Sequence, residues 1–252
     1  MANERLRSAI AVSGLTASTL SARVGVDPKT IERWVATHRT PHPANRQALC
    51  AALNRDEEFL WPSLVSTTRA QSASQAEVVA VYANRASVPP GTWQSLIEGA
   101  RESIDVLAFA ASFLHDTIPD FHQLLVARAH AGVRVRLLFG DPNGAAVRLR
   151  GEEEGIGGSL ADKCTLTWKY ARRCLATPGL EARAHDTTLY SSIFRCDEDL
   201  LANTHTYGSP ANQAPVVHLH RVAGGRLFAN FMDSFDRVWQ TARTVDGSYT
   251  LA

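Results

Sequence analysis

The chain has 252 residues and a mass of 27.4 kDa, about twice a typical single domain, so two domains are expected. Its 45% hydrophobic and 20% charged content excludes wholesale disorder, collagen and coiled coil, and no run reaches the roughly 18 apolar residues of a membrane span. The formal net charge of +1 conceals an uneven split: residues 1–70 hold nine Lys/Arg against six acids, the remainder seventeen against nineteen. A small basic domain joined to a larger, nearly neutral one suits a nucleic-acid partner for the first part. Cys50, Cys164, Cys174 and Cys196 lie far apart with no C-x-x-C spacing. They fit buried thiols of a reducing compartment, and Met1–Arg5 leads into no signal-peptide-like apolar region, so a cytoplasmic protein is expected.

In chain order, the first periodic segments are all helical. One helix runs from about Glu4 to Val12 and stops near Gly14; Thr16 caps a second, carrying Leu20 and Val24, which breaks at Gly25. Asp27-Pro28 starts a third, because an Asp N-cap followed by Pro at the first helical position is a strong start signal. Ile31, Trp34 and Val35 form its buried stripe, leaving Lys29, Thr30, Glu32 and Arg33 outward. A fourth spans about Pro43 to Leu53, and Phe59, Leu60 and Trp61 close the core. Two short helices joined through a glycine make a helix-turn-helix whose second helix enters the major groove. Lys29, Thr30 and Arg33 would then face bases, with Arg39 and Arg46 on phosphates and His38 and His42 nearby.

The stretch from Leu15 to Trp34 is similar to the Xre/Cro-type helix-turn-helix of bacterial repressors, and Arg39 to Pro62 resembles the continuation seen in actinobacterial regulators of that type. The resemblance implies a double-stranded DNA operator as partner, bound by a homodimer. The expected domains are 1–62, a polar Ser/Thr-rich linker at 63–77, and 78–252.

Beyond the linker, strands alternate with helices, as in an α/β sheet domain. Strands are expected at Val78–Tyr82, Ile104–Ala110, Val133–Phe139, Leu180–His185, Thr188–Arg195, Leu200–His205 and Val216–His220. Helices are expected at Thr92–Ala100, Pro119–Ala131, Ser159–Leu175 and Leu227–Ala242, and Glu152–Glu154 with the following glycines is read as a solvated loop. Phe109 and Asp141 fall near strand C-terminal ends, where open α/β sheets bind ligands.

This strand order looks like one half of the phospholipase D superfamily, whose H-x-K motif, following Asp and later G-S-x-N-like turn carry the chemistry. Here His185-Asp186-Thr187 stands for H-x-K, Ser192 for the Asp, and Gly208-Ser209-Pro210-Ala211-Asn212 echoes the turn. Thr187 cannot clamp phosphate, so the family's set is incomplete. The expectation is therefore a transcription regulator, not an enzyme, whose degenerate sheet domain dimerises and senses a small polar ligand, neutral or anionic. The alternative is an active phosphodiesterase or nuclease localised by its DNA-binding domain. The candidate ligand residues are Phe109, Asp141, His185, Tyr190, Arg195, Asp197, Asn203, His205 and Tyr207, because so many hydrogen-bonding groups beside a buried sheet are costly without partners. No catalytic residue, metal or cofactor is assigned; His218 and His220 share a strand face, but no third ligand converges on them.

Overall fold

Local signals place the N-terminal helices closely. In a computed structural model describing residues 2–37, 39–62 and 69–245, they are α1 (Glu4–Ser13), α2 (Ala17–Val24), α3 (Pro28–Thr37), α4 (Pro43–Leu53) and α5 (Glu57–Leu60). Thr16 caps α2 in a reciprocal capping box with Thr19. Gly25 ends α2 at φ 75°, a left-handed conformation that favours glycine, and the Asp27 carboxylate accepts from the Lys29 N–H at 2.8 Å as α3 begins. Leu6, Leu20, Ile31, Trp34, Leu49, Leu60 and Trp61 form one buried cluster. Phe59 does not join it: the ring is exposed, beneath the Arg5 and Arg55 guanidinium groups.

The chain divides into two units, 1–68 and 69–252. The second begins with α6 (Arg69–Ala76), a helix inside the expected linker; residues 63–68 and His38 lie outside the described residues. Next come β1 (Val78–Tyr82), a 3-10 turn (Arg85–Ser87), α7 (Pro90–Gly99), β2 (Ser103–Ala108), α8 (Ser112–Thr117) and α9 (Phe121–His130). Then follow β3 (Arg134–Gly140), α10 (Ala145–Glu153), α11 (Ser159–Ala171), β4 (Leu180–His185), β5 (Ser191–Cys196), β6 (Asp199–Thr204), β7 (Val216–His220), α12 (Leu227–Thr241) and β8 (Arg243–Val245). The eight strands form one mixed sheet in the order β1-β7-β6-β5-β2-β3-β4-β8, with β2, β3 and β4 parallel and the other pairs antiparallel.

Helix α10 corrects the reading of Glu152–Glu154 as a solvated loop. Its inward residues are Ala146, Val147, Arg150 and Gly151, too small and too polar to make an apolar stripe. Glu153 and Glu154 pair with the buried Arg150. The Asp186 carboxylate caps this helix, accepting from the Ala146 N–H at 2.7 Å; any Cβ on Gly144 would meet that carboxylate at 2.5 Å.

Both faces of β2 are buried, which explains its continuous apolar run. Ile104, Val106 and Ala108 join a cluster with Trp93, Leu114 and Leu125, while Leu107 packs with Val147, Phe228 and Phe235. Among these apolar residues Asp105 is fully buried, flanked in register by Arg136 on β3 and Arg195 on β5. Its two oxygens accept from Arg136 Nε at 2.6 Å and from Arg195 at 2.9 Å, so the ladder is internally satisfied.

Candidate functional site

In the N-terminal unit, Lys29 and Arg33 are exposed along α3 and Thr30 is half-buried beside them; Arg39 is exposed just beyond. Arg46 is different. Its guanidinium pairs with Glu57 and donates to the Pro41 carbonyl at 2.9 Å, and its side chain is 17% exposed. It ties α4 to the turn before it and to α5, so the assignment of Arg46 to phosphate is corrected.

The sheet register brings a second set together. Ser192 near the start of β5 lies beside the C-terminal end of β2 and directly across from Asn203 near the end of β6. Here a cavity of about 290 Å³ opens, bordered by Arg85, Phe109, Phe113, Lys163, Ser192 and His205, close to the lower end of ordinary ligand pockets. Asp116 and Glu154 supply its acids, and Pro210-Ala211-Asn212 of the small turn close one side. Arg150 anchors that turn by donating to the Ser209 carbonyl at 3.0 Å.

Inside the cavity Ser192 Oγ stands 3.0 Å from His205 Nε2, and His205 Nδ1 stands 3.1 Å from the Leu189 carbonyl oxygen. Burial, then the Arg150 guanidinium, lowers the His205 imidazole to about 4 against the pull of the Leu189 hydrogen bond; the ring is neutral at pH 7. Arg85 lies over the Phe113 ring, 4.0 Å from its centroid, and forms no ion pair among the described residues. Burial lowers it to about 10, with Glu154 opposing, so it remains a cation. A half-buried guanidinium beside a lysine and a hydroxyl–imidazole pair suits an anion with transferable oxygen substituents.

Of the residues the sequence singled out for a ligand, only Phe109 and His205 line this cavity. Asn203 packs beneath, with Nδ2 donating to the Ala214 and Pro215 carbonyls. The other assignments are corrected by where the side chains go. His185 is 1% exposed; Nε2 contacts the Ala108 carbonyl at 3.2 Å, Nδ1 accepts from the Thr187 N–H at 3.3 Å, and burial lowers its pKa. Asp141 accepts from the Asn143 N–H and from Arg243. Arg195 is held by Asp105 and by the Asp197 carbonyl.

Asp197 turns β5 into β6 and accepts from the N–H groups of Arg101, Glu102 and Ser103. Burial opposes its charge, but these donors and Arg195 hold the carboxyl below its usual range. Tyr190 and Tyr207 are 82% and 85% exposed, Tyr190 at a separate apolar cleft against α12. His218 and His220 both meet Asp199, and no group of three metal-ligating side chains occurs among the described residues. Sequence reasoning missed Arg85, Lys163, Asp116 and Glu154. Each lies on a helix or turn with no motif, so no local signal marks it.

A family model described as a domain of unknown function (DUF5919) matches residues 74–208. No curated protein matches. Among solved structures the chain is similar to a phospholipase D family member, Nuc from Salmonella typhimurium, at 16% identity over 62% of this chain and 90% of that one, with a TM-score of 0.40. It is similar to TrmBL2, an archaeal chromatin protein described as having a novel mode of DNA binding, at 17% identity over 75% of this chain and 59% of that one, with a TM-score of 0.42. NucT from Helicobacter pylori matches at 9% identity over 62% of this chain and 89% of that one, with a TM-score of 0.35. The expectation that the chain is not an enzyme is corrected by the first of these findings, since the structures it is similar to include a phospholipase D family member. No described helix is long and apolar enough to cross a membrane.

Proposed function

Since the chain belongs to a family described only as a domain of unknown function (DUF5919), its activity has to be read from its site, and we propose that it is a DNA-binding protein whose sheet domain binds and cleaves phosphodiesters. The observation that carries this reading is Arg85: a half-buried cation without an ion-pair partner among the described residues, in one cavity with Lys163 and the Ser192–His205 pair. A phosphodiester supplies a direct ion-pair partner for the arginine and a phosphorus atom for the hydroxyl to reach. The anionic ligand expected of this domain is then its substrate. The N-terminal unit holds duplex DNA through Lys29, Thr30 and Arg33 on α3, with Arg39 on the backbone, as part of a homodimer joined through residues 78–252.

The test is hydrolysis of bis-p-nitrophenyl phosphate and of duplex DNA by the purified full chain and by Arg85→Ala. Turnover by the wild type, with KM raised at least about tenfold in the variant, supports the reading; a tenfold change corresponds to about 1.4 kcal/mol of lost binding. Absence of turnover on both substrates between pH 5 and 9 overturns it.

A further inference from the structure

The cavity holds more than an anion site. A backbone carbonyl only accepts, so the His205 contact with Leu189 puts the ring proton on Nδ1 and leaves Nε2 unprotonated. The Ser192 hydroxyl must then donate to Nε2, 3.0 Å away. Phe109 stacks on the imidazole at 5.9 Å between centroids, limiting its rotation. Ser192 is 4% exposed as a residue, yet it borders the cavity. A hydroxyl, a base and an acceptor that orients the base thus stand in one line, the arrangement that activates a serine. His185 offers the reverse: both ring nitrogens are occupied by backbone groups, and the ring lies in the interior.

We infer that Ser192 is the nucleophile of this chain's phosphodiester chemistry, with His205 as its base and a phosphoseryl diester as intermediate; the inference rests on the reading proposed above. In the first step the Ser192 proton passes to His205 Nε2, Oγ forms a bond to phosphorus, and the bond from phosphorus to the leaving oxygen breaks. His205 Nε2 then hands that proton to the departing oxygen, which leaves as the alcohol, and the imidazole is neutral again. In the second step His205 Nε2 takes a proton from an attacking water as its oxygen bonds to phosphorus, the bond to Oγ breaks, and His205 returns the proton to Ser192 Oγ. The sum is one diester and one water converted into a monoester and an alcohol. Arg85 and Lys163 face the non-bridging oxygens, where charge is highest. Arg150 and Arg85 act on the ring as cations, and Asp116 and Glu154 line the cavity. Because the imidazole is neutral down to about pH 4, acidification through 6.5 leaves the base in its working form.

The experiment follows bis-p-nitrophenyl phosphate turnover by the full chain and by Ser192→Ala, His205→Ala and His185→Asn, with melting temperatures recorded for each. Acid quenching and mass spectrometry of the wild type search for a phosphoryl adduct. Expected are losses in kcat of about a hundredfold or more for the first two variants in their folded form, near-normal kcat for His185→Asn, and an adduct on the peptide containing Ser192. If Ser192→Ala fails to fold, the site of the adduct decides. Turnover retained by a folded Ser192→Ala, or an adduct on His185, overturns the inference while leaving the phosphodiester reading intact. A wild type that turns over no phosphodiester overturns that reading first, and the inference with it.

Discussion

The two units keep their charges in opposite places. In the helical unit Lys29, Arg33 and Arg39 project from the surface, and Arg46, which ties α4 to α5, sits at its margin. In the sheet unit the charges run through the interior: Asp105 between Arg136 and Arg195, Arg150 against Glu153 and Glu154, and Arg85 in the cavity. A surface cation can be removed with little effect on folding, because water replaces its partner. An interior charge cannot, because its partners are left unpaired in a poorly polarisable medium.

The strongest way to break this comparison is Asp105→Ala, which removes the buried carboxylate between Arg136 and Arg195 and leaves Arg136 to Asp236 and Arg195 to the Asp197 carbonyl. It should lower the stability of the sheet unit by about 3–5 kcal/mol, read by denaturant unfolding; a loss under 1 kcal/mol would mean the ladder matters no more than a surface pair. Next comes acidification. His115 and His205 are lowered to about 4, mainly by burial, and His185 is lowered as well. Each ring binds its proton less readily folded than unfolded. As pH falls below about 6.5 the unfolded chain takes up protons first, and stability drops until roughly pH 4, where the folded rings of His115 and His205 protonate too. Melting temperatures of the full chain between pH 7 and 4 check this; a flat profile would show that burial of the three rings does not control it.

For the helical unit the expected effects are on binding. Arg33→Ala should weaken a specific DNA site by about 1–3 kcal/mol and relax base preference there, with the melting temperature unchanged. Gel-shift titration against matched and altered sites distinguishes this from a purely structural role. The smallest effect belongs to Arg46→Ala. With its guanidinium committed to Glu57 and Pro41, it should cost about 1 kcal/mol or less of stability and leave the salt dependence of DNA binding as it was. A shallower salt slope would return Arg46 to the phosphate contacts.

The same contrast explains how far the residues could be read. The helical unit was legible because its signals are local: Asp27-Pro28 starts α3, Gly25 turns the chain, and Ile31 and Trp34 mark its inner side. Helix α6 was missed because its sequence, Arg-Ala-Gln-Ser-Ala-Ser-Gln-Ala, has no apolar face. Within the sheet, the buried strand β2 was legible as a mostly apolar run and β4 as an alternation of Leu180, Ala182 and Ala184 with Glu181 and Arg183, whereas α8, α10 and β8 were too short or too polar to stand out. The polar residues near the site were legible as a group but not as a site. Tyr190 precedes Ser192 by two positions, yet it is solvent-exposed, and alternation along a strand cannot tell a cavity wall from a surface.

From the sequence alone came the all-helical first part with its paired short helices, the alternating strands and helices of the second, and the uneven charge, all set by contacts within a few residues. Which polar side chains meet was decided only by the tertiary structure. The register of β5 on β6 brings Ser192 to His205, thirteen positions apart, and the fold carries Arg85 and Lys163 to the same cavity from a turn and a helix elsewhere. The fold also closed His185 off, by pointing its ring at the Ala108 carbonyl of a neighbouring part of the chain. Pairings of this kind depend on strand order and register, which the whole buried surface selects together and no single segment encodes.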